Sequence, residues 1–296
     1  MKGFVLHVNT GNTYTIVAQN KDKGTVDWMP SLNVRAKLED DLYLRFAASR
    51  TVTRPTFSQI NPGLNLTNST APLLGSGTQG NPNLKPVDSN NVDLSLEYYF
   101  GPSNVLTGAV FYRDVSGYIG SSVSSQVIGT NTYQITSYTN GAAGHIDGAE
   151  IGYTQFFDFL PGLWSGLGLQ ANATYVDGGL QFISKYSYNM VGIYEYGPVS
   201  IRAAYNWRSG FNEGVTPCTY NVGCNTPSNF YGKSQPWLDL SASYKVNENF
   251  TLTFDATNLL DSYFQDCFGK GATCAAFPRD TRRFDQTIEV GLRYKL

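Results

Sequence analysis

The most reactive side chains in this chain are four thiols and two imidazoles. Cys218 and Cys224 are six positions apart, and Cys267 and Cys274 are seven apart. Both pairs lie in stretches rich in Gly, Thr, Asn and Pro. One chemistry open to them is a four-thiolate metal site. Such sites usually leave about two to four residues between paired ligands, which is closer than either pair here. Two loop disulfides, formed in an oxidising compartment, account for the pattern better. His7 and His145 are far apart and read as surface or loop residues. No Gly-x-Ser-x-Gly, His-Glu-x-x-His or Gly-x-x-x-x-Gly-Lys occurs, and no carboxylate spacing argues for glycoside hydrolysis. The expectation is a protein that is not an enzyme and uses no cofactor or metal.

A second set of ionisable residues is defined by where it falls in a repeat. Arg35, Arg45, Asp93, Glu97, Glu150, Arg202, Asp239, Asp255, Glu289 and Arg293 each occupy the polar phase of a period-two run. The clearest run closes the chain. Ile288, Val290, Leu292, Tyr294 and Leu296 alternate with Thr287, Glu289, Gly291, Arg293 and Lys295. Val92, Leu94, Leu96, Tyr98 and Phe100 alternate in the same way with Asp93, Ser95, Glu97 and Tyr99. Period two means strands with one apolar and one polar face. If the apolar face meets lipid, the ten charged residues face a lumen. Most of them are then best explained as cross-strand pairs.

The runs predict about eleven strands, near 28–38, 41–53, 90–100, 104–118, 146–157, 162–177, 186–195, 198–209, 236–246, 250–261 and 286–296. Each is about ten residues, the length a tilted strand needs to cross the hydrocarbon core. No stretch has the roughly 18 apolar residues of a membrane-spanning helix. Strands 104–118 and 186–195 alternate less cleanly, so their faces stay unassigned. Residues 1–27 are expected to form an extracellular loop or a partial strand.

The connections alternate short and long. Tight ones come after residues 38, 100, 157, 195 and 246, and long ones cover 53–89, 119–145, 177–186, 209–235 and 261–285. Outer-membrane barrels have this layout, with short periplasmic turns and long extracellular loops. Both cysteine pairs fall in long connections. The predicted fold class is therefore all-β, part of an antiparallel transmembrane β-barrel in a bacterial outer membrane. Aromatics at 14 % suit the rings that flank such a barrel. Charged residues at only 15 %, with a net charge of -2, argue against disorder and against nucleic-acid binding.

Several segments carry a family resemblance. Arg50-Thr51-Val52-Thr53-Arg54-Pro55-Thr56-Phe57 and Asn61-Pro62-Gly63-Leu64 resemble the C-terminal barrel of TonB-dependent receptors. Gly80-Asn81-Pro82-Asn83-Leu84-Lys85-Pro86, the run Ser89–Phe100, and Phe111-Tyr112-Arg113-Asp114 are similar to the next stretches of that barrel. So are Arg202–Asn206, Asn258-Leu259-Leu260-Asp261 and the tail from Phe277 to Tyr294 to its later ones. The style is that of the large proteobacterial receptors. The resemblance implies a barrel of 22 strands filled by a plug, coupled through a TonB box to an inner-membrane motor. It implies uptake of a siderophore, cobalamin, haem or an oligosaccharide. It also implies that plug and N-terminal half-barrel lie outside this chain, so that outer-membrane lipid, those parts, the TonB complex and a small-molecule or oligosaccharide substrate are the partners. A stand-alone porin or adhesin barrel is the alternative, and a soluble β-rich carbohydrate-binding module a weaker one.

Overall fold

The computed structural model describes residues 2–9, 13–20, 26–67, 75–129, 131–141, 143–178, 181–216, 228–269 and 277–295. A hairpin opens the chain, β1 (Lys2–Asn9) with β2 (Thr13–Asn20). Then come β3 (Ser31–Glu39) and β4 (Leu42–Thr53), a one-turn helix α1 (Phe57–Ile60), β5 (Leu64–Thr67) and β6 (Gly75–Gln79). Next are β7 (Val87–Gly101), β8 (Asn104–Ser116), β9 (Ile119–Ile128), β10 (Asn131–Asn140) and β11 (Gly144–Phe156). A 3-10 turn (Gly162–Gly166) leads into β12 (Leu167–Asp177), β13 (Tyr186–Tyr196), β14 (Val199–Arg208), β15 (Phe211–Thr216) and β16 (Ser228–Gly232). The chain ends with β17 (Gln235–Lys245), β18 (Phe250–Thr257), β19 (Tyr263–Phe268), β20 (Pro278–Arg283) and β21 (Thr287–Tyr294).

Eleven of these strands form one sheet, in the order β21-β18-β17-β14-β13-β12-β11-β8-β7-β4-β3. Every neighbouring pair in it is antiparallel. These are the eleven strands that the alternation predicts, and the sheet is a barrel wall that does not close on itself. β3 and β21 each have a neighbour on one side only among the described residues. All five short connections lie at one end of the wall and all five long ones at the other. No described helix is long and apolar enough to cross a membrane.

The wall inverts the usual relation between apolarity and burial. Leu94, Leu96, Val110, Ile151, Leu252, Val290 and Leu292 stay exposed on one face. On β7 that apolar run extends from Val92 to Phe100, about 27 Å along the strand at 3.4 Å per residue. The apolar band of a membrane barrel is about 25 Å tall. Rings gather on this face at the short-turn end, where Tyr98 stacks on Phe100 at 5.7 Å and Phe250 lies 4.8 Å from Tyr294. Of the buried apolar side chains among the described residues, only Ile193 and Ala256 belong to the wall.

The rest of the buried apolar set lies in the long connections, which are folded. β5, β6, β10 and β9 make one four-stranded sheet, and β15, β16, β19 and β20 make another. The alternation does not predict these strands, because segments such as Gly75-Ser76-Gly77-Thr78-Gln79 carry no apolar phase of their own. Glycine is needed there for another reason. Tyr133 and Ile135, 4 % and 0 % exposed, press on Gly75 and Gly77, and a Cβ at Gly77 would meet Ile135 Cδ1 at 2.6 Å. The start of the chain is a hairpin rather than a plain loop.

Several segments that carry the family resemblance order the long connections. Thr56 caps α1 in a capping box with Gln59, which satisfies donors a helix start leaves open. Asn81 donates from Nδ2 to the Tyr138 carbonyl at 2.9 Å, and its Oδ1 accepts the Asn83 N–H at 2.9 Å. Lys85 N–H donates to Asn140 Oδ1 at 2.8 Å, fixing the chain just before β7.

Candidate functional site

Register decides which side chains share a face, because directly paired residues project together. One row of pairs runs across the wall from β3 to β17: Arg35, Arg45, Ser95, Ala109, Glu150, Thr174, Ser187, Arg208 and Gln235. Stepping by two from this row reaches all ten charged residues that the sequence singled out. They therefore lie on the face opposite the exposed apolar one.

Their partners differ. Arg45 forks onto Glu97, with Nε to Oε1 at 2.6 Å and Nη2 to Oε2 at 3.1 Å. Tyr99 donates its hydroxyl to the same carboxylate at 3.1 Å. Asp93 accepts from Arg113 at 2.5 Å, and Arg202 donates to Glu195 at 2.9 Å. Arg35 lies over the Tyr43 ring at 4.1 Å. Asp239 accepts Trp237 Nε1–H at 2.8 Å and the Asn258 N–H at 2.9 Å. Asp255 and Glu289 are directly opposite each other on β18 and β21. Glu150 sits between Ala109 and Thr174, and Arg293 opposite Thr251. The sequence thus named both members of the Arg45–Glu97 pair but missed Arg113 and Glu195.

A cavity of about 520 Å³ opens on this polar face toward the long-loop end. Two rows build it. Asn172, Asn189 and Asn206 are consecutive register partners and run on to Trp237. One step away, Thr174, Ser187, Arg208 and Gln235 form the second row. Asn189 donates to Asn206 Oδ1. Arg208 gives both Nε (3.2 Å) and Nη2 (2.9 Å) to Gln235 Oε1, and its guanidinium covers the Phe211 ring at 4.6 Å. Phe284, from the segment before β21, meets Trp237 edge-on at 5.7 Å. The arrangement can hold a polar ligand by neutral donors and acceptors around one aromatic surface. It offers no nucleophile with a base, and no metal-ligating cluster occurs among the described residues.

The carboxamide row escaped sequence reading for a physical reason. Neutral amides are ordinary on a polar strand face, and only pairing across three strands brings these three together. The weak alternation of 186–195 also hid the face of Asn189.

The sheet of β15, β16, β19 and β20 holds a buried aspartate beside Glu213. Asp266 is 1 % exposed and takes two bonds from Arg279 and one from the Asp280 N–H at 2.8 Å. Burial alone would raise its pKa, but these bonds outweigh that and hold the carboxyl below its usual range. Burial first, then repulsion from Asp266, pushes Glu213 upward. A raised Glu213 favours the fold while it is protonated, and that contribution fades as pH rises through its folded value. The depressed Asp266 does the opposite and loses its contribution as pH falls. Glu213→Gln is therefore expected to raise protection of β15 and β19 against hydrogen exchange at pH 8 and leave it nearly unchanged at pH 4. The variant-to-parent ratio at each pH is the measurement. An equal effect at both would contradict the assignment.

Cys267 is disulfide-bonded. Cys218, Cys224 and Cys274 lie outside the described residues, so the two proposed pairings are untouched by the structure.

A family model described as TonB dependent receptor-like, beta-barrel, matches residues 6–259. The ferrienterobactin receptor of Escherichia coli strain K12 is 24 % identical over 260 residues, which is 79 % of this chain and 32 % of that receptor. Among solved structures, a variant of the ferric enterobactin receptor PfeA of Pseudomonas aeruginosa, in complex with enterobactin, superposes with a TM-score of 0.62 at 21 % identity. It covers 90 % of this chain and 40 % of that one. The siderophore receptor PirA of Acinetobacter baumannii gives 0.62 at 18 % identity, covering 90 % and 41 %. The chain thus spans about a third of the curated relative's length and about two fifths of the solved ones.

Proposed function

The chain belongs to the TonB-dependent receptor-like β-barrel family, and from that membership we propose that it forms part of the wall of an outer-membrane receptor for energised uptake of an iron–siderophore complex. The observation that carries the reading is the eleven-stranded antiparallel wall, apolar on one face and polar on the other, with every long connection at one end. The apolar face meets outer-membrane lipid. The polar face meets the lumen, the plug and the passing cargo, and the long connections face outward. Further strands, the plug and the TonB complex act with this chain in import. The wall's role is passive selection, with no bond made or broken. Cobalamin, haem and oligosaccharide are the other cargo classes the family offers. The names of the relatives favour a siderophore. Cys218–Cys224 and Cys267–Cys274 remain the proposed disulfides, in keeping with an exported protein. A stand-alone porin or adhesin fits less well, since β3 and β21 do not pair with each other.

Protease shaving of intact cells tests this reading. Trypsin is expected to cut within the long connections, at Arg282 or Arg283, and to spare Lys37 and Lys245 beside the short turns. Cleavage at the short turns alone, or recovery of the chain in the soluble fraction, would sink it.

A further inference from the structure

We propose that the cavity on the polar face takes an electroneutral ligand rich in hydroxyl and carbonyl groups, and discriminates against polyanions. The inference rests on reading this face as the inside of a receptor.

The lining argues for neutrality. Asn172, Asn189, Asn206 and Gln235 present both donors and acceptors without net charge. Such groups match hydroxyls and carbonyls, while a polyanion would leave the amide oxygens facing like charge. Trp237 and Phe284 add an aromatic surface for an apolar ring face or methylene edge. Arg208, the one cation in the lining, is held by Gln235 and Phe211. Asp239 holds the Trp237 indole N–H, which fixes the ring in place.

The arginines of the chain supply little spare positive charge. Eight of the eleven arginines lie within ion-pair distance of a carboxylate, at positions 45, 50, 54, 113, 202, 279, 282 and 283. Asp255 and Glu289 add two acidic side chains to the same face. A trianion entering here would meet one guanidinium already bonded to Gln235, and recruiting the paired arginines would break existing pairs, stranding the other charge. Selection by such a mismatch works against the wrong ligand as well as for the right one.

Two sources share the neutral chemistry, a saccharide and an uncharged ferric chelate. Isothermal titration of the full chain in detergent uses three probes: maltotetraose, ferrichrome as a neutral ferric tris-hydroxamate, and ferric enterobactin as the trianionic complex. At least one neutral probe is expected to bind saturably and about tenfold more tightly than the trianion. Its affinity should hold between about 50 and about 500 mM NaCl, because no ion pair forms. Asn206→Leu and Thr174→Val, each checked for folding by heat-modifiable gel migration, should weaken it by about tenfold. Binding of maltotetraose alone identifies a saccharide, and of ferrichrome alone a chelate. Tighter binding of ferric enterobactin, no binding of either neutral probe, or indifference to both variants overturns the proposal. Protease shaving is independent of these titrations, so failure here leaves the receptor reading separately decidable.

Discussion

Val110→Arg is expected to cost the inserted wall about 2–4 kcal/mol, the penalty for arginine at the lipid-facing midplane of a barrel. Val110 is 53 % exposed at the centre of β8, opposite Leu94 on β7 and Ala149 on β11. Its exposed face is apolar from Leu106 to Tyr112, so an arginine there has no nearby water to reach. The preceding residue is the control. Ala109 pairs with Ser95 and Glu150 on the polar face, and an arginine at 109 gains a carboxylate across the strand. Ala109→Arg should change stability by less than about 1 kcal/mol. Denaturant unfolding from lipid vesicles reads both. Equal costs at 109 and 110 would mean that the two faces see the same solvent.

Asn258→Ala is expected to cost on the order of 3 kcal/mol through its own hydrogen bonds. Asn258 is 0 % exposed and sits at φ 54, a left-handed conformation that asparagine tolerates better than alanine. Its Nδ2 donates to the carbonyls of Ser262 (3.1 Å) and Phe284 (2.9 Å), and its Oδ1 accepts the Ser262 N–H at 2.8 Å. Removing the amide orphans three backbone groups, of which the Ser262 N–H and carbonyl are buried. The bond to Phe284 also holds the ring that meets Trp237, so the damage reaches the cavity. Asn258→Gly restores the backbone freedom but not the bonds, and should be less damaging than alanine by about 1 kcal/mol. Denaturant unfolding followed by tryptophan fluorescence gives both values. A stable Asn258→Ala variant with unchanged emission would show that the network is dispensable.

Asn258-Leu259-Leu260-Asp261 shows what the sequence conveys and what it withholds. As a motif it points to a family. Its physical role, a left-handed turn stitched to β17 by Leu259 N–H to the Leu238 carbonyl at 2.8 Å and to the approach of β21, needs coordinates. The wall strands are legible because an exposed apolar face and a polar face on opposite sides impose period two over about ten residues. The strands in the long connections are not. β9 is mostly serine and valine, and β20 is Pro278-Arg279-Asp280-Thr281-Arg282-Arg283, so neither carries a burial phase. Charged members of the polar face can be named from phase alone. The carboxamides of the cavity cannot, since their meaning comes from the offset between strands, which sequence alone leaves free.

Spin labels placed singly at positions 91 to 98 along β7 test the two-faced wall most directly, with the protein reconstituted in lipid and relaxed by oxygen and by a water-soluble nickel chelate. Labels at 92, 94, 96 and 98 should favour oxygen, and labels at 91, 93, 95 and 97 should favour nickel, in strict alternation. Accessibility without period two, or nickel reaching both sets equally, would contradict a wall with lipid on one face and a watery lumen on the other.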